Sequence, residues 1–279
     1  MTCIHPDLRA VYNNMPENDM VLNAETAVLV RQSIIMPEMA EAGNDPDLVI
    51  TRLSIPGPAG DIAQFMVQPK PEEGKLYPVV LDIHGGGMFY GTAEDAASLM
   101  AEAAKKLGYL YISPEYRLAP EHKYPGALED GMAVWDHLMQ KGYDCDHVLF
   151  AGDSAGGNLV LCMTQKLIKE RDAIPGCLLL FSPWTDMTAT AGSYESRKDR
   201  DPILTKDYVT GVRDAYIGSG ADPSLDIYSP LNGDFSGFPP TLIMVGENDG
   251  WHVYQQMPVP MANRAMKRLS DYVSAVIYT

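Results

Sequence analysis

The sequence predicts an α/β domain: a mostly parallel central sheet with helices on both faces and a small helical cap. Three observations predict it. From Val79 onward, short apolar runs alternate with stretches of helical period, the signature of strand–crossover–strand units. Those runs are apolar at nearly every position, as strands covered on both faces must be. The 279 residues are enough to bury a full core as one domain with a cap.

Taken in order, residues 1–45 form an N-terminal segment ahead of the main domain at 46–279. It mixes apolar and acidic positions at helical spacing, with Pro16 and Pro37 as breaks. Met15, Met20, Val28, Met36 and Met39 fall on one apolar face, which reads as a helical arm packed on the body. Leu48–Ile55 and Asp61–Val67 read as two strands joined through Pro56-Gly57-Pro58-Ala59-Gly60, a hairpin at the sheet edge where proline is tolerated. The remaining strands fall at Val79–Ile83, Tyr109–Ser113, Val148–Ala151, Leu178–Phe181 and Leu242–Val245. Helices fall near Glu94–Leu107, Gly126–Gln140, Ala155–Arg171 and Met261–Ala275. Between Ser182 and Phe238 lies a long interval with Tyr208–Tyr216 helical, so an insertion at about 186–235 is expected to stand above the strand ends as a lid.

Composition narrows the function. A net charge of -16 argues against nucleic acid, whose affinity rests on Lys and Arg at phosphates. It disfavours an anionic membrane surface equally. No run approaches the ~18 apolar residues of a membrane span, and Met1 to Arg9 lacks the basic start and apolar block of a signal peptide. Cys3, Cys145, Cys162 and Cys177 have no CxxC or metal spacing, and Cys162 and Cys177 sit in apolar runs as buried small hydrophobes. The expectation is a soluble cytoplasmic protein with reduced thiols and neither metal nor organic cofactor; a homo-oligomer stays open.

The chemistry centres on Leu149-Phe150-Ala151-Gly152-Asp153-Ser154-Ala155-Gly156-Gly157-Asn158. This is an apolar strand, then Gly-x-Ser-x-Gly, then the start of a helix. A serine hydroxyl is a poor nucleophile until it is lifted clear of its neighbours and given a base. A strand-to-helix turn does the lifting, by holding Ser154 in a strained, exposed backbone position. Gly152 and Gly156 leave room for strand and helix to converge. The amide of Ala155, at a helix N-terminus, then points where an oxyanion would form. Asp153 reads as a structural partner for the turn.

A second stretch, Pro78-Val79-Val80-Leu81-Asp82-Ile83, is a buried strand ending in His84-Gly85-Gly86-Gly87. Three glycines let the backbone turn sharply and present bare N–H groups, so Gly86 and Gly87 are the other oxyanion donors. A phosphate loop would need the Lys and Ser/Thr of the Walker pattern, and neither follows.

With these motifs stand Tyr116-Arg117-Leu118-Ala119-Pro120-Glu121, Tyr124-Pro125-Gly126-Ala127-Leu128-Glu129-Asp130, Ser229-Pro230-Leu231 and Gly246-Glu247-Asn248-Asp249. Together they resemble the hormone-sensitive-lipase-like branch of the α/β-hydrolase superfamily, from about Val79 to Asp249. The resemblance implies an α/β-hydrolase fold with the N-terminal segment in the cap, and a Ser–Asp–His triad. Ser154 is then the nucleophile and Asp249, after the apolar Leu242-Ile243-Met244-Val245, is the acid. Glu121 reads instead as a salt-bridged corner with Arg117.

After Asp249 the likeness breaks down. His5, His84, His122, His137 and His147 all precede the serine, and only His252 follows the acid, at the wrong end of its strand. Where the family has Met-Pro-His, this chain has Met257-Pro258-Val259-Pro260. Parallel neighbours also need a crossover of ~10–12 residues, yet Gly250 alone separates Asp249 from Trp251-His252-Val253-Tyr254. The spacing predicts that a crossover helix after Asp249, and a histidine between Pro258 and Val259, are missing from this chain.

Two functions follow. The leading one is a serine carboxylesterase acting on small, short-chain acyl esters through an acyl-enzyme, with Met88, Phe89, Tyr90 and Trp184 narrowing the pocket. The other is a base-deficient hydrolase fold that binds a small ligand, with Val259 in the histidine's place. The plant gibberellin receptors resemble the same branch and carry an aliphatic residue there. A scaffold role rests only on the N-terminal methionines.

Overall fold

The computed structural model describes residues 45–73, 77–94, 104–171, 173–198 and 204–246, with positions between 22 and 31, at 101 and between 268 and 276. Among these, seven strands form one sheet: β1 (Leu48–Gly57), β2 (Gly60–Pro69), β3 (Val79–Ile83), β4 (Leu110–Pro114), β5 (Val148–Asp153), β6 (Cys177–Phe181) and β7 (Thr241–Met244). The helices are α1 (Gly126–Gln140), α2 (Ser154–Glu170), the short α3 (Ser193–Ser196) and α4 (Lys206–Ile217). Residues 101 and 104–107 are helical, as expected, and so are 268, 269, 271–273, 275 and 276 near the C-terminus.

The sheet order is β1-β2-β4-β3-β5-β6-β7. β1 pairs antiparallel with β2, and β2 with β4; every pair from β4 to β7 is parallel. The mostly parallel sheet with an edge hairpin is therefore present. β1 runs past the expected Ile55 to Gly57, because an edge position lets Pro56 pair with Asp61 without a missing donor facing a neighbour. β5 runs to Asp153, which carries the strand up to the serine.

Strand side chains alternate between two cores, as period-2 geometry requires. Val79, Leu81 and Ile83 of β3 join Phe150, Leu178 and Leu180 on the face covered by α1 and α2. Val80, Leu149, Leu179 and Phe181 face the other way, against Ala101, Ala104, Leu269 and Val273. The ring of Trp135 from α1 meets Phe150 edge-on, with centroids 5.2 Å apart. Truncating such a buried aromatic typically costs ~3–5 kcal/mol. α1 and α2 cross closely at Gly131, where an added β-carbon would stand 2.7 Å from Met163 Sδ. Cys162 and Cys177 are buried as expected, and burial pushes both thiols up to about 12.

Candidate active site

At the carboxyl end of β5 the chain turns directly into α2, and Ser154 is the first helical residue. Its φ of 51° lies in the left-handed region, a strain of ~1–3 kcal/mol for a residue with a side chain. The glycines around it are required by contact. A β-carbon on Gly152 would stand 2.6 Å from the Gly156 carbonyl carbon, and one on Gly156 would overlap the Ile83 carbonyl oxygen. Strand β3, strand β5 and helix α2 therefore touch through bare backbone. The Ser154 carbonyl accepts a hydrogen bond of 2.9 Å from Trp184 N, which fixes the turn from the β6 side.

Asp153 sits at the N-cap of α2 but does not cap it. Its Oδ1 instead accepts from the amide of Gly85 at 2.8 Å, tying the glycine loop to the serine turn. The first turn of α2 also holds no acidic side chain. The N-terminal amides of this helix, which have no intrahelical partner, thus remain available to an anion.

The glycine loop is positioned one peptide at a time. A peptide unit is planar, so holding its C=O also aims the N–H on its far side. The Gly85 carbonyl accepts from Tyr116 Oη at 3.2 Å and contacts His84 Nδ1 at 2.8 Å, which aims the amide of Gly86. The Gly86 carbonyl accepts from Phe89 N and Tyr90 N at 3.1 and 3.0 Å, which aims the amide of Gly87. Gly86 and Gly87 have φ of 96° and 64°, and their amides meet no acceptor among the described residues. The Tyr116 ring stacks on His84 with centroids 4.1 Å apart, and its hydroxyl also reaches the His84 carbonyl at 2.8 Å. Burial holds that phenol well above its ordinary range, so it stays a donor.

Of the expected pocket residues, Met88 and Phe89 are fully buried and belong to the core, whereas Tyr90 and Trp184 are half-buried. The Phe89 ring meets Tyr90 and Tyr208 edge-on, with Tyr208 contributed by α4. Val212 of the same helix lies against Gly87, where an added β-carbon would stand 2.6 Å from Val212 Cγ1. One residue earlier α4 touches the N-terminal segment, for a β-carbon on Gly211 would overlap the Leu22 carbonyl oxygen.

The expected corner between Glu121 and Arg117 is not formed. Arg117 turns to Asp130 of α1, at 2.9 Å, and to Glu129 at 3.0 Å. Asp130 is 1% exposed, and a buried carboxylate needs the guanidinium more than an exposed one does. Glu121 pairs instead with Arg31, 90 residues earlier, through two bonds of 2.9 Å. That guanidinium holds the Glu121 carboxyl below its usual range. Arg31 also donates to the carbonyls of Phe89, at 2.5 Å, and of Ala119. Sequence reasoning had no signal for Arg31, because its partners lie 58 to 90 residues away.

Asp82, near the end of β3, carries a carboxyl pushed up to about 8 by burial and by the charge of Asp153. Asp249, His252 and Val259, with the two junctions expected to lack residues, lie outside the described residues, as do Met15, Met20, Met36 and Met39. Among the described residues no histidine hydrogen-bonds to Ser154; His84 is turned to Gly85 and Tyr116.

A family model described as alpha/beta hydrolase fold matches residues 80–268. An esterase of Acinetobacter venetianus is 32% identical over 171 residues, which is 61% of this chain and 56% of that protein. An acetyl-hydrolase of Streptomyces hygroscopicus is 30% identical over 201 residues, 70% of this chain and 66% of the relative. The chain thus spans just over half to two thirds of the length of these curated relatives. Among solved structures, EstE5 superposes with a TM-score of 0.83 at 25% identity over 99% of this chain and 100% of that one. An esterase from the bacterial hormone-sensitive lipase family does so with a TM-score of 0.76 at 25% identity, covering 99% of both.

Proposed function

The chain belongs to the alpha/beta hydrolase fold family, and on that premise we propose that it is a serine carboxylesterase acting on small, short-chain acyl esters. One observation carries the reading: the Asp153 carboxylate holds the Gly85 amide, so the glycine loop and the Ser154 turn form a single site. Ser154 Oγ attacks the ester carbonyl while the amides of Gly86, Gly87 and Ala155 receive the oxyanion. Each such donor is typically worth ~3 kcal/mol in the transition state. The alcohol leaves, an acyl-enzyme remains, and water hydrolyses it. The base that takes the serine proton and returns it to the leaving alcohol is, in the family's pattern, a histidine oriented by the acid, here Asp249, and this sequence carries Val259 at that histidine's place. The names of the relatives, esterase and acetyl-hydrolase, agree with this chemistry.

The N-terminal segment and the insertion at 186–235 serve as the cap, and two contacts support that role: Leu22 on Gly211, and Val212 on Gly87. Tyr90 and Trp184 keep exposed surface and narrow the acyl site, while Met88 and Phe89 back it from the core.

A second reading is favoured by Val259, which stands where the family has its histidine. A hydrolase fold without a base would hold a small acyl or carboxylate ligand at the same amides and turn nothing over. Turnover of an aryl acetate by the purified chain separates the two. Release of the phenol, abolished in Ser154→Ala, supports the esterase. No release, together with a small hydrophobic ligand retained through purification, supports the binding protein.

A further inference from the structure

We infer that Arg31 is a positioning residue for the oxyanion donor Gly87, acting on it through two hydrogen-bonded peptide units; this rests on the esterase reading above. The guanidinium Nε of Arg31 donates to the Phe89 carbonyl at 2.5 Å. That carbonyl shares a rigid plane with the amide of Tyr90. The Tyr90 amide donates to the Gly86 carbonyl at 3.0 Å, and the Gly86 carbonyl shares its plane with the amide of Gly87. Rotation of the Phe89–Tyr90 plane therefore rotates the Gly86–Gly87 plane, and with it the donor.

The rest of the guanidinium is locked by the Glu121 carboxylate and the Ala119 carbonyl. Ala119 in turn donates its amide to the Met88 carbonyl at 2.8 Å, so both sides of the clamp grip the same loop. Arg suits this place because its fixed fork serves several acceptors at once, which a single ammonium does not. The Gly86 amide is aimed by other groups, Tyr116 and His84, so the two donors answer to different side chains.

The test compares wild type with Arg31→Met and Arg31→Lys. Arg31 is about a quarter exposed, so both variants should fold. Hydrogen exchange in the full chain, read over 86–91 and over 148–160, reports the loop and the serine turn separately. The expected result is lost protection at the Phe89 and Tyr90 amides in Arg31→Met, with 148–160 unchanged and Arg31→Lys intermediate. With aryl acetate, kcat should fall about tenfold with KM within about twofold, less than the ~10²-fold loss of a full 1 Å misplacement. Unchanged protection over 86–91, or equal loss over 148–160, would overturn the proposal. So would a loss carried by KM alone. A wild-type chain without turnover would defeat the esterase reading, and loop exchange would then still decide whether Arg31 holds the loop.

Discussion

Gly156 and Ile83 approach so closely that a β-carbon on the glycine would occupy the isoleucine's carbonyl oxygen. Helix α2 and strand β3 are thus held at backbone distance, and the site depends on that spacing. Overpacking typically costs ~1–3 kcal/mol, and an obstacle made of backbone cannot swing aside as a side chain can. Gly156→Ala is expected to lower the melting temperature by several degrees. Gly192→Ala is the control, because Gly192 has an ordinary φ of -60° and open space around it. Equal melting temperatures for the two variants would refute the argument.

Ser154 has a left-handed backbone and, in the proposed esterase, is the nucleophile; the two roles separate by mutation. Ser154→Ala is expected to lower ester turnover by several orders of magnitude, as loss of a triad nucleophile does. Ser154→Gly should lose turnover equally but gain ~1 kcal/mol of stability by releasing the strain. Thermal melts beside an aryl-acetate assay read both. A tenth of wild-type activity left in either variant would disprove the nucleophile assignment.

Tyr90 and Trp184 predict the acyl preference. Rates on aryl esters should fall from acetate through butyrate to long chains, and Trp184→Ala should flatten the series. Only the indole is removed, because the Trp184 amide that holds the Ser154 carbonyl is main chain. A wild-type optimum at lipid chain lengths would contradict the prediction.

Asp82 predicts a pH dependence of stability. Its carboxyl is raised in the fold to about 8 from an ordinary 3.8, so between those values the folded chain binds more protons than the unfolded one. Stability from this group is whole below the unfolded value and falls as pH rises, fully lost above about 8. Asp82→Asn mimics the protonated form. It should match wild type near pH 4 and melt at a higher temperature near pH 8 or 9. A constant difference between the two across pH would argue against it.

Much of this was legible in the sequence, for physical reasons that differ by residue. Strands β3 to β6 announce themselves because a strand buried on both faces must be apolar at nearly every position. Gly152, Ser154 and Gly156 announce the turn because its geometry tolerates so few residues. The Arg117–Glu121 pairing misled because nearness in sequence suggests contact, whereas the buried Asp130 competes more strongly for the same cation. Arg31 was invisible, since a bond across 58 residues leaves no periodic trace. Asp153 showed as a structural partner, but its acceptance of the Gly85 amide depends on how β3 and β5 align, with Ile83 beside Gly152.

The amide of Asn158, 1% exposed on α2, donates to the carbonyls of Trp184 and Tyr228 at 2.7 and 2.8 Å. Farther along the same helix, Gln165 donates to the Pro230 carbonyl at 3.0 Å and Lys169 pairs with Asp226 at 3.0 Å. Leaving a buried donor unmade costs ~1–3 kcal/mol, so this row of bonds acts as a seam. The downstream stem of the insertion is stitched to the helix that carries the serine.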